Sequence, residues 1–457
     1  MNRKLISSIF LTNLPVLFLY AQSLTGVWNG TINIGQTSLP LVFHISSQNG
    51  KNTCTIDSPD QGAKNIPTTI TYLDADSICL QIQQISASYR GKLHNNQIKG
   101  FFSQSGMQFQ LNLKSGDFIR ERKQTPKAPL LYPTEEVTFE NPSDHAQLSG
   151  TLSYPITYAI SKDIPVVLLV TGSGQQNRDE EIMGHKPFAV IADYLAKMGI
   201  ASLRYDDRGF GKSTGNLNDA TSHTFMTDAL AGINYLKSKG KFSKIGILGH
   251  SEGGMIAFMA AVEAPNDIDF IVSLAGTAVK GSEILLKQNE ILLSATPQTA
   301  IYSKDYCKVL DKILQLQSES TKTYNDEEAK AIVGQYVTQV GAKLPEPALQ
   351  NLQKVLLTSN PWFKYFIAYD PTDAISKTTC PVMAINGDKD TQVDAVLNLE
   401  TLRKILPANK KHLIKSYIGL NHLFQHCDTG HIYEYAKIEE TISPEVLSDI
   451  AEFILNL

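Results

Sequence analysis

The residues best suited to covalent chemistry lie in Gly249-His250-Ser251-Glu252-Gly253-Gly254. The apolar run Lys244-Ile245-Gly246-Ile247-Leu248 precedes them and Met255-Ile256-Ala257-Phe258-Met259-Ala260-Ala261 follows, so the stretch reads as strand, sharp turn, helix. There G-x-S-x-G has a mechanical meaning. The turn strains its central serine and lifts Oγ above the sheet, and the small flanking residues keep neighbouring backbones from clashing. Ser251 is therefore the candidate nucleophile. A serine hydroxyl needs a base to take its proton and a third group to orient that base. In a sheet of this kind they follow in the order serine, acid, histidine, each on the loop after a later strand. The acid should follow the run ending at Ile385, where Gly387-Asp388-Lys389-Asp390-Thr391-Gln392-Val393 offers two carboxylates. Asp390 is assigned as the acid and Asp388 as a turn former. The base should follow the last strand, and His422, in Gly419-Leu420-Asn421-His422-Leu423-Phe424, stands there. His426 and His431 lie farther along that loop as reserve candidates, while His412 begins the strand itself. Two backbone donors should hold a developing oxyanion: the N–H of Glu252 and that of Ser173, beside Gly174, in the turn after the strand Ile164 to Val170.

These loops need a scaffold, and hydrophobic periodicity outlines one. A hairpin around Asn141-Pro142-Ser143-Asp144 leads into alternating elements: strand 164–170, helix 187–198, strand 201–205, helix 224–237, strand 244–248, the helix after Ser251, and strand 270–274. Phe188, Ile191, Leu195 and Met198 should share one face of the first helix. Such alternation implies a mostly parallel sheet covered on both faces. It stops near Gly281 and resumes at Cys380, and residues 282–378 between them have helical periodicity. A crossover of that length is an inserted helical cap, lying over the ligand crevice at this edge of the sheet. The aromatic run Pro361-Trp362-Phe363-Lys364-Tyr365-Phe366 should pack the cap on the core. Strand 413–417 and helix 444–455 close the chain, the helix with Ser443 as N-cap and Pro444 at its first position.

The region before the hairpin differs in kind. Residues 22–118 read as short strands throughout, among them 39–45, 68–73, 78–82 and 108–113, which makes a small all-β barrel or sandwich without a catalytic constellation. Residues 119–133 read as a linker and 134–457 as the catalytic domain. At the start, Asn2-Arg3-Lys4, the apolar segment 5–20 and Ala21 describe a secretory signal peptide cleaved after Ala21. Asn13 and Pro15 interrupt that segment, which is shorter than the roughly 20 apolar residues of a membrane span. The chain is thus expected to be exported, without a membrane span after cleavage.

Bulk composition narrows the function. At 457 residues, and roughly 150 residues per domain, two to four units are expected. A net charge of −4, from 41 basic and 45 acidic residues, does not suit a nucleic-acid binder, which needs a basic surface. The five cysteines contain no C-x-x-C and allow at most two bridges. Gly209 to Thr214 imitates a phosphate-binding loop, but Asp206 stands where its first glycine should be, and no H-E-x-x-H occurs. Neither a cofactor nor a catalytic metal is implied.

From about Glu135 to Leu457 the chain resembles the α/β-hydrolase superfamily, and within it the bacterial secreted carboxylesterase or serine aminopeptidase-like branch. The resemblance is carried by Thr171 to Asp179, Arg204 to Ser213, Gly249 to Gly254, Gly387 to Asp390 and Leu420 to His422, five motifs in the proper order. It implies a Ser251-Asp390-His422 triad, a structural turn at Asp207-Arg208-Gly209, and an ion pair for Arg208, with Asp179 the suggested partner. The resemblance does not fix the substrate; the first hypothesis is a small-molecule carboxylic ester with a short acyl chain, cleaved through an acyl-enzyme intermediate. Gly26-Val27-Trp28-Asn29-Gly30 and Gly100-Phe101-Phe102 resemble the small β domains ahead of some secreted bacterial hydrolases. The alternative is a serine aminopeptidase, in which the Glu252 carboxylate would meet a peptide's free amine. The preferred reading of Glu252 is an ion pair beside the site that does not touch substrate. A non-catalytic binding protein would require a broken triad, and all three residues are present.

Overall fold

The computed structural model describes residues 24–457 except 35, 36, 49, 62, 119, 121 and 162. The expected signal peptide, residues 1–21, lies outside the described residues. The chain divides into two compact units, the first ending at residue 119 and the second running from Arg120 to Leu457.

The first unit is a single antiparallel sheet of ten strands. The two ends of its strand order, Ala63–Pro67 and Thr69–Leu73, are consecutive in the chain, so the sheet nearly closes on itself. Alternation decides which side chains fill it: Ile78, Leu80 and Ile82 point in along one strand, Ile98 and Phe102 along another, while Phe101 stays outside. Gly91 and Gly100 face each other across two strands because Tyr89 lies over both; a Cβ on either would come within 2.6 Å of its hydroxyl. The expected strand 108–113 is two strands, Met107–Gln110 and Leu113–Ser115. At the break Asn112 Oδ1 accepts the Gly100 N–H, a side chain standing in for a ladder carbonyl.

The second unit is built on an eight-stranded sheet. In spatial order its strands are Thr134–Glu140, Gln147–Ser153, Ala201–Tyr205, Pro165–Val170, Lys244–His250, Phe270–Leu274, Val382–Gly387 and Leu413–Tyr417. The first two pairings are antiparallel and the rest parallel. Every residue of Pro165–Val170 and of Phe270–Leu274 is buried, as strands covered on both faces must be. The helix Pro187–Lys197 buries Phe188, Ile191 and Leu195, each contributing about 1.5–3 kcal/mol of apolar transfer. Met198 differs from the expected face: it is the C-cap and is exposed, because the helical path ends before it. In the last helix, Pro444–Leu455, the Ser443 side chain makes no capping hydrogen bond. Residues 120–133 belong to this second unit, where Arg122 is buried and donates to the carbonyls of Met183 and Ala436.

Six helices stand between Leu274 and Val382: Gly281–Ser294, Pro297–Glu319, Asp326–Val340, Glu346–Leu357, Pro361–Ala368 and Thr372–Lys377. They form the inserted cap. Its aromatic helix Pro361–Ala368 stacks Trp362 on Phe366, with ring centres 5.5 Å apart. All five cysteines are free. Among the described residues no helix is long and apolar enough to cross a membrane.

Candidate active site

Ser251 stands between the strand Lys244–His250 and the helix Glu252–Glu263, with φ +55° and ψ −120°. A non-glycine residue there is strained by about 1–3 kcal/mol, a cost met only where surrounding structure imposes it. The surroundings are backbone. A Cβ on Gly249 would fall 2.0 Å from the Gly253 carbonyl oxygen, and one on Gly253 would fall 2.3 Å from that of Val170. Both glycines are needed for strand and helix to meet this closely, and the serine N–H is fixed to Leu274 O at 2.9 Å.

The loops after the last two strands bring Asp390 and His422 together. His422 Nδ1 and Asp390 Oδ2 are 2.7 Å apart, and both side chains are at most 5% exposed. Asp390 Oδ1 accepts the N–H groups of Gln392 and Val393, at 2.8 and 2.9 Å, which fixes the carboxylate plane. With Nδ1 donating to that carboxylate, Nε2 of His422 carries the free lone pair. Asp388 takes the Gly419 N–H instead. His426 faces Glu440, and His412 bonds Val382 N and Pro407 O, so neither turns to Asp390. Among the described residues Ser251 Oγ has no hydrogen-bond partner. The link between its turn and the base runs through His250, whose Nε2 lies 3.0 Å from the main-chain oxygen of His422.

The loop after Pro165–Val170 reaches the same place. A Cβ on Gly172 would approach Ser251 Cβ to 3.0 Å, and Ser173 and Gly174 follow, both exposed, with Gly174 at φ +95°. Three acids fasten this loop. Asp207 accepts Thr171 Oγ1 and Gln176 N, Asp206 accepts Arg178 through its backbone and guanidinium, and Glu180 accepts Gly172 N. No cation pairs with Asp207 among the described residues, and burial, with Glu180 and Asp228 nearby, pushes its carboxyl up to about 8.

Two expected partnerships are corrected. Arg208 does not reach Asp179. Its guanidinium is bidentate on Asp228, at 2.7 and 2.8 Å, and bonds Asp144, whereas Asp179 pairs with Arg204 from the adjoining strand. Among the described residues Glu252 forms no ion pair. Its carboxylate, 2% exposed, accepts Ser222 Oγ at 2.6 Å and the Trp362 indole N–H at 2.9 and 3.0 Å. Burial raises its pKa, against those hydrogen bonds. A cap helix is thereby tied to the residue after the nucleophile. Sequence reasoning named Asp207 only as part of a structural turn, and missed Glu180 and Trp362 as parts of this neighbourhood. The only available signal was that acids cluster in Asp206-Asp207 and Asp179-Glu180-Glu181. No cluster of three or more His, Cys, Asp or Glu side chains suited to a metal ion occurs among the described residues.

A strained serine at a strand-to-helix turn, an acid and a histidine on later loops, and this strand order define a hydrolase fold. The sequence pattern of the alpha/beta hydrolase fold matches residues 165–417, over half of the chain, and the chain belongs to that family. Esterase EstD of Thermotoga maritima is 27% identical over 263 residues, covering 58% of this chain and 55% of that protein. The chain thus spans about half the length of that relative. The bifunctional esterase/perhydrolase DCH of Acinetobacter calcoaceticus is 23% identical over 240 residues, covering 50% of this chain and 77% of that protein. Among solved structures, Est1E of Butyrivibrio proteoclasticus with ferulic acid bound shares 18% identity at a TM-score of 0.41, covering 70% of this chain and 98% of that one.

Proposed function

We propose that the chain hydrolyses carboxylic esters, with short acyl groups as first substrates, through a serine nucleophile. The observation that carries this reading is the buried 2.7 Å contact between His422 and Asp390, joined to the nucleophile turn through His250. Ser251 Oγ attacks the ester carbonyl as His422 Nε2 takes its proton, while Asp390 holds the imidazole and offsets its charge. The N–H groups of Glu252 and Ser173, with Gly174 giving room, receive the oxyanion. Collapse expels the alcohol, which takes the proton from His422. Water, deprotonated by the same imidazole, then attacks the acyl-enzyme and releases the acid and Ser251. The esterase names of the relatives support the ester class.

The peptidase alternative loses the feature that motivated it, since Ser222 and Trp362 occupy the Glu252 carboxylate. Ser251→Ala in the full chain is expected to abolish turnover of p-nitrophenyl acetate and butyrate with an unchanged melting temperature. Undiminished turnover would overturn the reading. Faster cleavage of aminoacyl amides than of these esters would restore the peptidase. Export remains part of the proposal. N-terminal sequencing of the protein recovered outside the cytoplasm should begin at Gln22, and a cytoplasmic chain still starting at Met1 would contradict it.

A further inference from the structure

His250 and Glu180 take no part in those steps, yet between them they join the nucleophile turn, the loop of Gly172 and the loop of His422. Glu180 belongs to the loop after Pro165–Val170 and His250 precedes the nucleophile. Both are buried, Glu180 at 3% and His250 at 7% exposure. His250 Nε2 lies 3.0 Å from the main-chain oxygen of His422, and Nδ1 lies 2.9 Å from Glu180 Oε1. The same Oε1 accepts the Gly172 N–H at 2.9 Å. A carbonyl oxygen only accepts, so Nε2 must carry a proton. A neutral imidazole would then turn a bare lone pair on Glu180 Oε1, two acceptors 2.9 Å apart in a buried place. A proton must fill that contact.

Two further observations mark the pair as imposed by its surroundings. Glu180 has φ +52°, a left-handed backbone that an ordinary side chain adopts at a cost. The His250 ring also lies against the His422 ring, with centres 4.6 Å apart and planes inclined by 47°. His422 is therefore gripped at three points: Nδ1 by Asp390, its carbonyl by His250, and its ring face by the His250 ring. Burial works against charge on His250, yet Glu180, the His422 carbonyl and more distantly Asp390 together raise its pKa.

We propose that His250 and Glu180 share one proton and act as a unit of positioning residues, holding the His422 carbonyl and the Gly172 amide in register with the Ser251 turn. The pair touches no reacting atom. Its effect is geometric, because the base and the loop expected to receive the oxyanion sit on separate loops that this pair joins. A shift of about 1 Å in either costs on the order of 100-fold in rate. The inference rests on the serine-hydrolase reading above.

The test uses the full chain with Glu180→Gln, His250→Gln and the double variant, assayed on p-nitrophenyl butyrate alongside thermal melts. Each single variant should lower kcat about 100-fold with KM within about threefold, and the double variant should be no worse than the weaker single, because one broken pair cannot be broken twice. Two amides can also hydrogen-bond each other without a shared proton, so partial rescue in the double variant supports the pair. Losses that multiply in the double variant, a raised KM at unchanged kcat, or wild-type activity in both singles would overturn the proposal. Neutron diffraction from the deuterated wild type reads the same claim without a variant or turnover. Deuterons are expected on His250 Nε2 and within the His250–Glu180 contact, and an empty contact would refute the pair even if every variant misfolds. A wild-type protein without esterase turnover would instead count against the serine-hydrolase reading and leave the neutron result to judge the pair.

Discussion

The two units of this chain differ most in what they bury. Among the described residues of the β unit the buried polar side chains are Asn29 and Ser58, and none of the buried side chains is a charged group or a histidine. The second unit buries Glu180, Asp207, Arg208, Asp228, His250, Glu252, Asp390 and His422. Six of the eight lie on loops that follow sheet strands or on the first turn of the helix after Ser251, while His250 ends its strand and Asp228 sits in the second turn of the helix Ser222–Ser238. Taking such groups out of water costs several kcal/mol per ion before pairing, a cost that apolar residues of similar volume avoid. Buried titratable groups of this kind concentrate at functional sites, and the described core of the β unit holds none of them.

That contrast can be broken at several points. Asp390→Asn keeps the shape of the acid while favouring the wrong tautomer of His422, and should lower kcat by about 10⁴ with little change in KM. Steady-state kinetics check this, and a loss under tenfold would detach Asp390 from the base. Arg208→Met leaves Asp228 buried without its cation, and should destabilise the second unit by about 3–5 kcal/mol in urea unfolding. Phe43→Ala, in the barrel core, should cost a comparable 3–5 kcal/mol through its cavity, yet leave kcat for p-nitrophenyl butyrate as it was. A matching fall in kcat would erase the distinction between the units. Trp362→Phe removes the indole donor from the Glu252 carboxylate, for about 1–3 kcal/mol and a raised KM as the cap loosens.

A further effect sharpens the comparison by its pH dependence. The folded chain holds a proton on Asp207 up to about pH 8, which the unfolded chain releases near the ordinary value of 3.8. Stability from this group is therefore present at low pH and lost as pH rises from about 4 to about 8. Asp207→Asn removes that slope, so its melting temperature should gain on the wild type between pH 5 and 9. A constant difference across that range would show that Asp207 is not protonated in the fold.

Much of the scaffold is legible because the buried parallel strands are largely apolar runs, interrupted only by Ser273 and Asn386 in the three clearest. Pro165–Val170, Phe270–Leu274 and Val382–Gly387 stand out in the sequence, and once strands are placed the loops at one edge follow. Asp390 and His422 could be picked by position alone for that reason. Contacts closed by tertiary geometry could not. Glu180, His250 and the His422 carbonyl lie 70 and 172 residues apart, and a main-chain acceptor leaves no mark in the sequence. The resemblance suggests Asp179 for Arg208, but Arg204 pairs with that carboxylate, and Asp228, which takes Arg208, comes from a helix that the motif does not include. Glu252 was read as a charge in want of a charge. Its partners are a serine and an indole from the cap, and no periodicity announces them.

The central claim is that Ser251 carries the acyl group. Rapid acid quenching of the full chain during turnover of p-nitrophenyl butyrate, followed by peptide mass spectrometry, addresses it directly. A butyryl adduct on the peptide containing Ser251, formed with a burst of p-nitrophenolate and absent from Ser251→Ala, is the predicted result. Sustained turnover with no adduct on Ser251, or an adduct on another residue, would contradict it.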